Sequence, residues 1–109
     1  MNFLRLVAAV GLACLPMAVT AAGLQAGAAK VDITDARGPV NDRSYARALA
    51  LRSGDTTAVL VSIDAVAIGG IGRIKDDFLA RVRAELKKEL GISPEHTLFN
   101  ASHCHGAVH

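Results

Sequence analysis

The chain has 109 residues, 51% of them apolar and 20% charged, and this balance excludes a disordered tail. Its net charge is only +2, and it has neither a block of Lys and Arg residues nor an aromatic platform, so we expect no nucleic-acid partner. The length is typical of one domain, and two cysteines are too few for a disulfide framework.

The beginning of the chain has the three parts of a secretory signal peptide. Arg5 is its only early charge, and the apolar run that follows ends at Pro16. Residues 19–21 fit the small-x-small pattern of a cleavage site, which predicts cleavage after Ala21 or after Ala22. We therefore predict a signal peptide over 1–21 and a secreted or periplasmic chain over 22–109. The alternative is an uncleaved membrane anchor, although the apolar run is shorter than the roughly 20 residues of a spanning helix.

Three segments in the first half of the exported chain predict strands. Residues 28–34 alternate apolar and polar side chains, and 45–52 repeat the alternation with more alanine. Residues 57–64 form a β-branched run that is typical of a strand buried on both faces. The turn residues 53–55 lie between the second and third segments, so we predict a β-hairpin there.

The second half predicts a helix followed by a short strand. Apolar residues recur every three or four positions over 73–90, which indicates an amphipathic helix, and Gly91 and Pro94 are typical residues to end it. Residues 97–101 read as a strand. With 57–64, these elements form a βαβ unit, which is right-handed in nearly all proteins and has parallel strands. The predicted fold is α/β, a partial sheet with a β-hairpin and one right-handed βαβ unit.

A dense group of potential metal ligands follows the last strand. In an extended chain, His103 and His105 project to one side and Cys104 to the other, where a buried, inert thiol is expected. Asp64 ends the parallel strand, so it emerges at the same rim of the sheet, where α/β proteins bind ligands. Zinc accepts imidazole nitrogens and carboxylate oxygens. We predict a metal site at this rim; the alternative is a histidine pair without a metal.

Other residues have open interpretations at this point. Asp64 is a metal ligand, a residue that hydrogen-bonds to the metal ligands, or a carboxylate that forms a turn or caps a helix. Tyr45 and Arg47 share a strand face, where ordinary packing with a surface charge is the simplest interpretation. His96 follows Pro94 in a turn and is expected to be exposed to solvent.

Five short stretches, in order along the chain, carry a resemblance to a known family. They are residues 26–34 (AGAAKVDIT), 41–49 (NDRSYARAL), 59–64 (VLVSID), 91–96 (GISPEH) and 100–105 (NASHCH). The second is similar to the motif HDPLYARAL, and the last to the motif SA(T/S)HTHSGP. Together they resemble the opening of the neutral/alkaline non-lysosomal ceramidase family. The chain departs from that pattern at Asp35, Asn41, residues 43–44 and residues 106–107. These departures affect the expected substrate contacts more than the expected zinc binding by the histidine pair.

Members of this family are zinc amidohydrolases of sphingolipid metabolism that cleave the N-acyl bond of ceramide to sphingosine and a fatty acid. The resemblance implies that His103 is a zinc ligand and that His105 is a catalytic residue beside the metal. It also implies that the other ligands, a His, a Glu and a Tyr, lie farther along a longer domain. We therefore expect 22–109 to be the N-terminal fragment of a ceramidase-like catalytic domain, inactive alone. The substrate expected for the whole enzyme is ceramide or a similar N-acyl lipid at a membrane surface.

A second hypothesis belongs to a different functional class. The exported chain is then a small non-catalytic binding or structural module. In that case His103 and His105 are incidental to its function or bind a metal only weakly.

Overall fold

A computed structural model describes residues 23–106, so the predicted signal peptide lies outside the described residues. The elements, in chain order, are β1 (Gln25–Asp32), β2 (Tyr45–Ser53), β3 (Thr56–Ile63), α1 (Phe78–Leu90), a short 3-10 helix (Pro94–His96) and β4 (Thr97–Ala101). No helix in this part of the chain is long and apolar enough to cross a membrane.

The four strands form one mixed sheet in the order β1-β2-β3-β4. The pairs β1–β2 and β2–β3 are antiparallel, whereas β3 and β4 are parallel and are connected through α1. The predicted hairpin is confirmed, because Ser53 pairs with Thr56 across a two-residue turn whose first residue, Gly54, has a φ of 57°. The structure therefore confirms an α/β arrangement with parallel β3 and β4.

The helix begins later than predicted, at Phe78 rather than at residue 73. A glycine-rich loop precedes it, and there the Asp76 carboxylate accepts the Gly70 N–H at 2.5 Å, a local bond that competes with helix formation. At the other end, Gly91 takes a φ of 68° and its N–H donates to the Lys87 carbonyl at 3.0 Å. The helix thus ends at the predicted residue by a left-handed glycine cap.

The helix packs on one face of the β3–β4 half of the sheet. Phe78 meets Phe99 edge to face with ring centroids 6.5 Å apart, and the Arg83 Nε–H donates to the Thr97 hydroxyl at 3.0 Å. The buried apolar side chains of the described residues are few: Val59, Ile63, Ala65, Val66 and Ile92. The core is therefore small and lies between α1, the end of β3 and the segment that follows β3.

The opposite face of the sheet is uncovered, which corrects the prediction that β3 is buried on both faces. Leu49, Leu60 and Leu98 lie side by side on β2, β3 and β4, and they are 39%, 39% and 54% exposed. We call this row the open face. A β-branched run is buried on both faces only when a second layer packs on it, and the described residues supply one α-helix, on one side.

Candidate metal centre

Two loops lie side by side at the rim where β3 and β4 end. Residues 63–66, which we call the docking segment, comprise the last residue of β3 and the three residues after it, and residues 102–106, the histidine loop, follow β4. The Ser102 N–H donates to the Ile63 carbonyl at 2.9 Å, and the Cys104 N–H donates to the Ala65 carbonyl at 3.2 Å. Parallel pairing therefore continues past the strand ends, and the prediction that Asp64 and His103 emerge at the same rim is confirmed.

The histidine loop is not extended, contrary to the sequence-based expectation. His103 has a φ of 58°, the left-handed conformation that residues with a Cβ seldom adopt. The chain then turns at His105 and Gly106. The two imidazole rings nevertheless meet, with centroids 4.7 Å apart and planes inclined at 82°. The predicted proximity of His103 and His105 is confirmed, although a turn produces it instead of strand alternation.

The His103 ring is oriented by a backbone carbonyl. Its Nδ1 lies 2.7 Å from the Val66 oxygen. Because a carbonyl only accepts hydrogen bonds, Nδ1 carries a proton, and in the neutral ring Nε2 keeps its lone pair. That Nε2 lies 3.2 Å from the His105 Nε2. A histidine that binds a metal through one ring nitrogen usually donates the N–H of the other to a carboxylate, a backbone carbonyl or water.

The spacing of the two Nε2 atoms fits a shared zinc ion. Two nitrogens at about 2.0–2.1 Å from a tetrahedral zinc lie about 3.3 Å apart, close to the 3.2 Å between His103 and His105. Within residues 23–106, no group of three His, Cys, Asp or Glu side chains is arranged to hold a metal. The described part of the chain therefore offers two ligands, fewer than the three that a catalytic zinc site takes from its protein.

Asp64 binds β2 instead of joining the histidines. Its Oδ2 accepts the Tyr45 N–H at 2.9 Å, and Arg47 Nη1 lies 3.0 and 2.9 Å from its two oxygens. The Tyr45 N–H, the Arg47 guanidinium and the Ser102 hydroxyl hold the pKa of Asp64 below its ordinary value of 3.8, although partial desolvation acts in the opposite direction. The Asp64 carboxylate thus bridges β2 and the end of β3, and its bonds to Tyr45 and Arg47 form neither a local turn nor a helix cap.

Cys104 is exposed, so the prediction of a buried, inert thiol is wrong. The left-handed turn at His103 ends the strand alternation that this prediction assumed. The thiol instead borders a polar cleft of about 450 Å³, whose other lining residues include Asp64, Arg43 and Arg73. His103 and His105 do not line this cleft.

Two further expectations concern His96 and the pair formed by Tyr45 and Arg47. His96 is exposed at the end of the 3-10 helix, as predicted. Tyr45 and Arg47 share a strand face, with the guanidinium carbon 5.2 Å from the ring centroid. The ion pair between Arg47 and Asp64 goes beyond the simple packing that the sequence suggested.

Sequence reasoning missed two elements of this site. The Val66 carbonyl gives no signal in the sequence, because any residue carries the same backbone group. The contact between Arg47 and Asp64 depends on strand register: Ile63, the neighbour of Asp64, pairs with Ala46, the neighbour of Arg47. A register predicted from the two-residue turn at Gly54 gives the same pairing.

Comparison of the chain with profiles of known protein families, with curated proteins and with solved structures returned no significant match. A functional proposal therefore depends on the histidine pair, on the residues that hold it, and on the motif resemblance described above.

Proposed function

We propose that the chain is the N-terminal portion of a zinc-dependent amidohydrolase similar to the neutral ceramidases. In this proposal His103 is a zinc ligand, His105 lies beside the metal, and the whole enzyme cleaves the N-acyl amide of ceramide or a similar lipid. The observation that carries the proposal is the pair of Nε2 atoms 3.2 Å apart, one of them oriented by the Val66 carbonyl. This pair occurs in the stretch that most resembles the family's histidine motif.

The open face supports the view that further sequence completes the domain. Leu49, Leu60 and Leu98 form an exposed apolar row across three strands. Parallel strands in α/β proteins are normally covered on both faces. A second layer on this face and additional zinc ligands are both expected from the remainder of a larger catalytic domain, and with two ligands alone we expect no hydrolysis by this chain.

The residues of the histidine loop suit amide hydrolysis. When bound, zinc supplies Lewis acidity toward an amide carbonyl and toward water. His103 offers an Nε2 lone pair because its Nδ1 proton is held by Val66. His105 is exposed and its Nε2 is within reach of that of His103. It is therefore placed to contact the substrate and to hold or transfer a proton at the reacting group.

A zinc titration tests the metal site. We expect the chain to bind one zinc ion and His103→Ala to weaken binding at least 10-fold, measured by calorimetry or by competition with a chromogenic chelator. His105→Ala is expected to weaken binding less, because His105 lies beside the metal in this proposal. His96→Ala is the matched control, because it removes an exposed histidine away from the rim and is expected to leave the affinity unchanged. Equal affinity in the wild type and His103→Ala would refute the metal site.

The hydrolase activity needs its own experiment. The chain is expressed together with any coding sequence that follows it in its gene, and release of fatty acid from an N-acyl sphingoid lipid in detergent micelles is measured. We expect activity that depends on His103. Zinc binding without hydrolysis by the whole gene product would instead favour the small non-catalytic module.

A further inference from the structure

We propose that Asp64 is a positioning residue for the pair His103–His105, an inference that rests on the metal site proposed above. Asp64 acts through the docking segment, of which it is a member, because the carbonyls of this segment hold the histidine loop. Its role is then to fix the position of a ligand while remaining outside the group of ligands.

Asp64 is tied to β2 by its backbone and by its carboxylate. Its N–H donates to the Tyr45 carbonyl at 2.9 Å, and the Tyr45 N–H donates back to Oδ2 at 2.9 Å. Arg47 Nη1 contacts both carboxylate oxygens. The carboxyl side chain is only 17% exposed, so removal of the carboxylate leaves a backbone N–H and a guanidinium without their acceptor. The docking segment is thereby fixed to a strand in the interior of the sheet.

The carbonyls on either side of Asp64 hold the histidine loop. The Ile63 carbonyl accepts from the Ser102 N–H and the Ala65 carbonyl from the Cys104 N–H. One residue farther on, the Val66 carbonyl accepts from the His103 ring. A rotation of the backbone at Asp64 therefore moves the acceptors that determine both the path of the loop and the tautomer of His103.

The conformation of His103 makes this support necessary. A φ of 58° in a residue with a Cβ costs free energy, and such conformations persist only where the surrounding structure enforces them. The enforcing contacts here are the three hydrogen bonds from the docking segment. If the docking segment is released from β2, His103 is expected to return to an extended conformation, which separates its ring from that of His105.

The experiment compares the full chain with Asp64→Ala, Asp64→Asn and Arg47→Met. Asp55→Ala, a change at an exposed carboxylate in the turn between β2 and β3, is the matched control. Three properties are measured: the ring contact and the His103 tautomer, both by NMR in the metal-free protein, and the zinc affinity. We expect Asp64→Ala to abolish the ring-to-ring nuclear Overhauser effect, to mix the His103 tautomers and to lower zinc affinity by about 10-fold.

The other variants separate positioning from general destabilisation. Asp64→Asn keeps an acceptor for the Tyr45 N–H and is expected to restore most of the ring contact, whereas Arg47→Met tests the ion pair with the carboxylate retained. If Asp64→Ala does not fold, Arg47→Met carries the test through the same NMR signals: it is expected to weaken the ring contact, and an unchanged ring contact would overturn the positioning role. A folded Asp64→Ala with an unchanged ring contact and tautomer would overturn the positioning role.

The metal-free measurements also keep this inference distinct from the proposed function. A wild-type chain that binds no zinc, but whose ring contact is lost in Asp64→Ala, supports the positioning role and refutes the metal site. If the wild-type chain binds zinc and all the variants bind it equally well, the positioning role is refuted and the metal site is left intact.

Discussion

The two halves of the sheet differ in how they are buried. In the β3–β4 half, α1 covers one face, and Val59 and Ile63 are 8% and 6% exposed. In the β1–β2 half, all eight residues of β1 are exposed. The histidine loop follows the covered half, yet Tyr45 and Arg47, which bind Asp64, belong to β2 of the other half. Burial thus supplies the stability of one half, while the exposed half contributes the anchor of the site.

The largest effect is expected from a cavity in the covered half. Ile63→Ala removes buried methyl and methylene groups at the first residue of the docking segment and is expected to cost about 2–5 kcal/mol. Leu98→Ala, on the open face and 54% exposed, is expected to cost less than about 1 kcal/mol. Urea unfolding followed by circular dichroism measures both losses. Equal losses would show that a further layer covers the open face in solution.

Glycine substitutions are expected to have opposite signs in the two halves. Gly91 ends α1 with a φ of 68°, and an added Cβ meets nothing within 4 Å, so Gly91→Ala costs only the left-handed conformation, about 1–2 kcal/mol. Gly27 lies in β1 with equally open surroundings and no positive φ, so Gly27→Ala is expected to add about 0.4–1 kcal/mol by restricting the unfolded chain. Thermal unfolding checks the two signs, and a destabilising Gly27→Ala would mean that β1 packs on another surface.

The smallest effect concerns acid stability. Hydrogen bonds from Thr34 and Arg43 lower the pKa of Asp32 to about 2, and Tyr45 and Arg47 lower that of Asp64. Because both folded-state pKa values lie below the ordinary value of 3.8, these carboxylates contribute stability above that pH. The contribution is lost as the pH falls toward the folded-state values.

The pH dependence is measured from urea midpoints at about pH 5 and about pH 2.5. Asp32→Asn and Asp64→Asn are each expected to reduce the difference between the two midpoints, because an amide does not titrate in this range. Asp55→Asn is the control and is expected to keep the wild-type difference. An unchanged difference in all three variants would assign the acid sensitivity to other groups.

Local patterns in the sequence account for most of the fold. The period-2 alternation, the β-branched run and the Gly54 turn predicted three strands and a hairpin, and the helical periodicity ending at Gly91 predicted α1. The predicted start of α1 was wrong. The Asp76 side chain accepts the Gly70 N–H and favours a loop there, and helical periodicity does not reveal such a local bond. The prediction that β3 is buried on both faces was also wrong, because a β-branched run does not reveal whether a second layer exists.

The candidate site was predicted in part. The βαβ unit brought Asp64 and His103 to one rim, because the ends of parallel strands share an edge. The exposure of Cys104 and the backbone turn at His103 were not predictable from alternation, since a left-handed residue ends the alternation. The carbonyl of Val66 carries no sequence signal, although it determines which nitrogen of His103 is free.

The parallel pairing of β3 with β4 also has a consequence for the order of assembly. Strands β1 to β3 follow one another through antiparallel neighbours and can pair as soon as each has been synthesised. Strand β4 reaches its place beside β3 only after the intervening α1 has formed, because a parallel neighbour requires a crossover. The histidine loop therefore meets the docking segment only when the crossover is complete, and binding of the proposed metal ion would report on that crossover as well as on the two imidazoles.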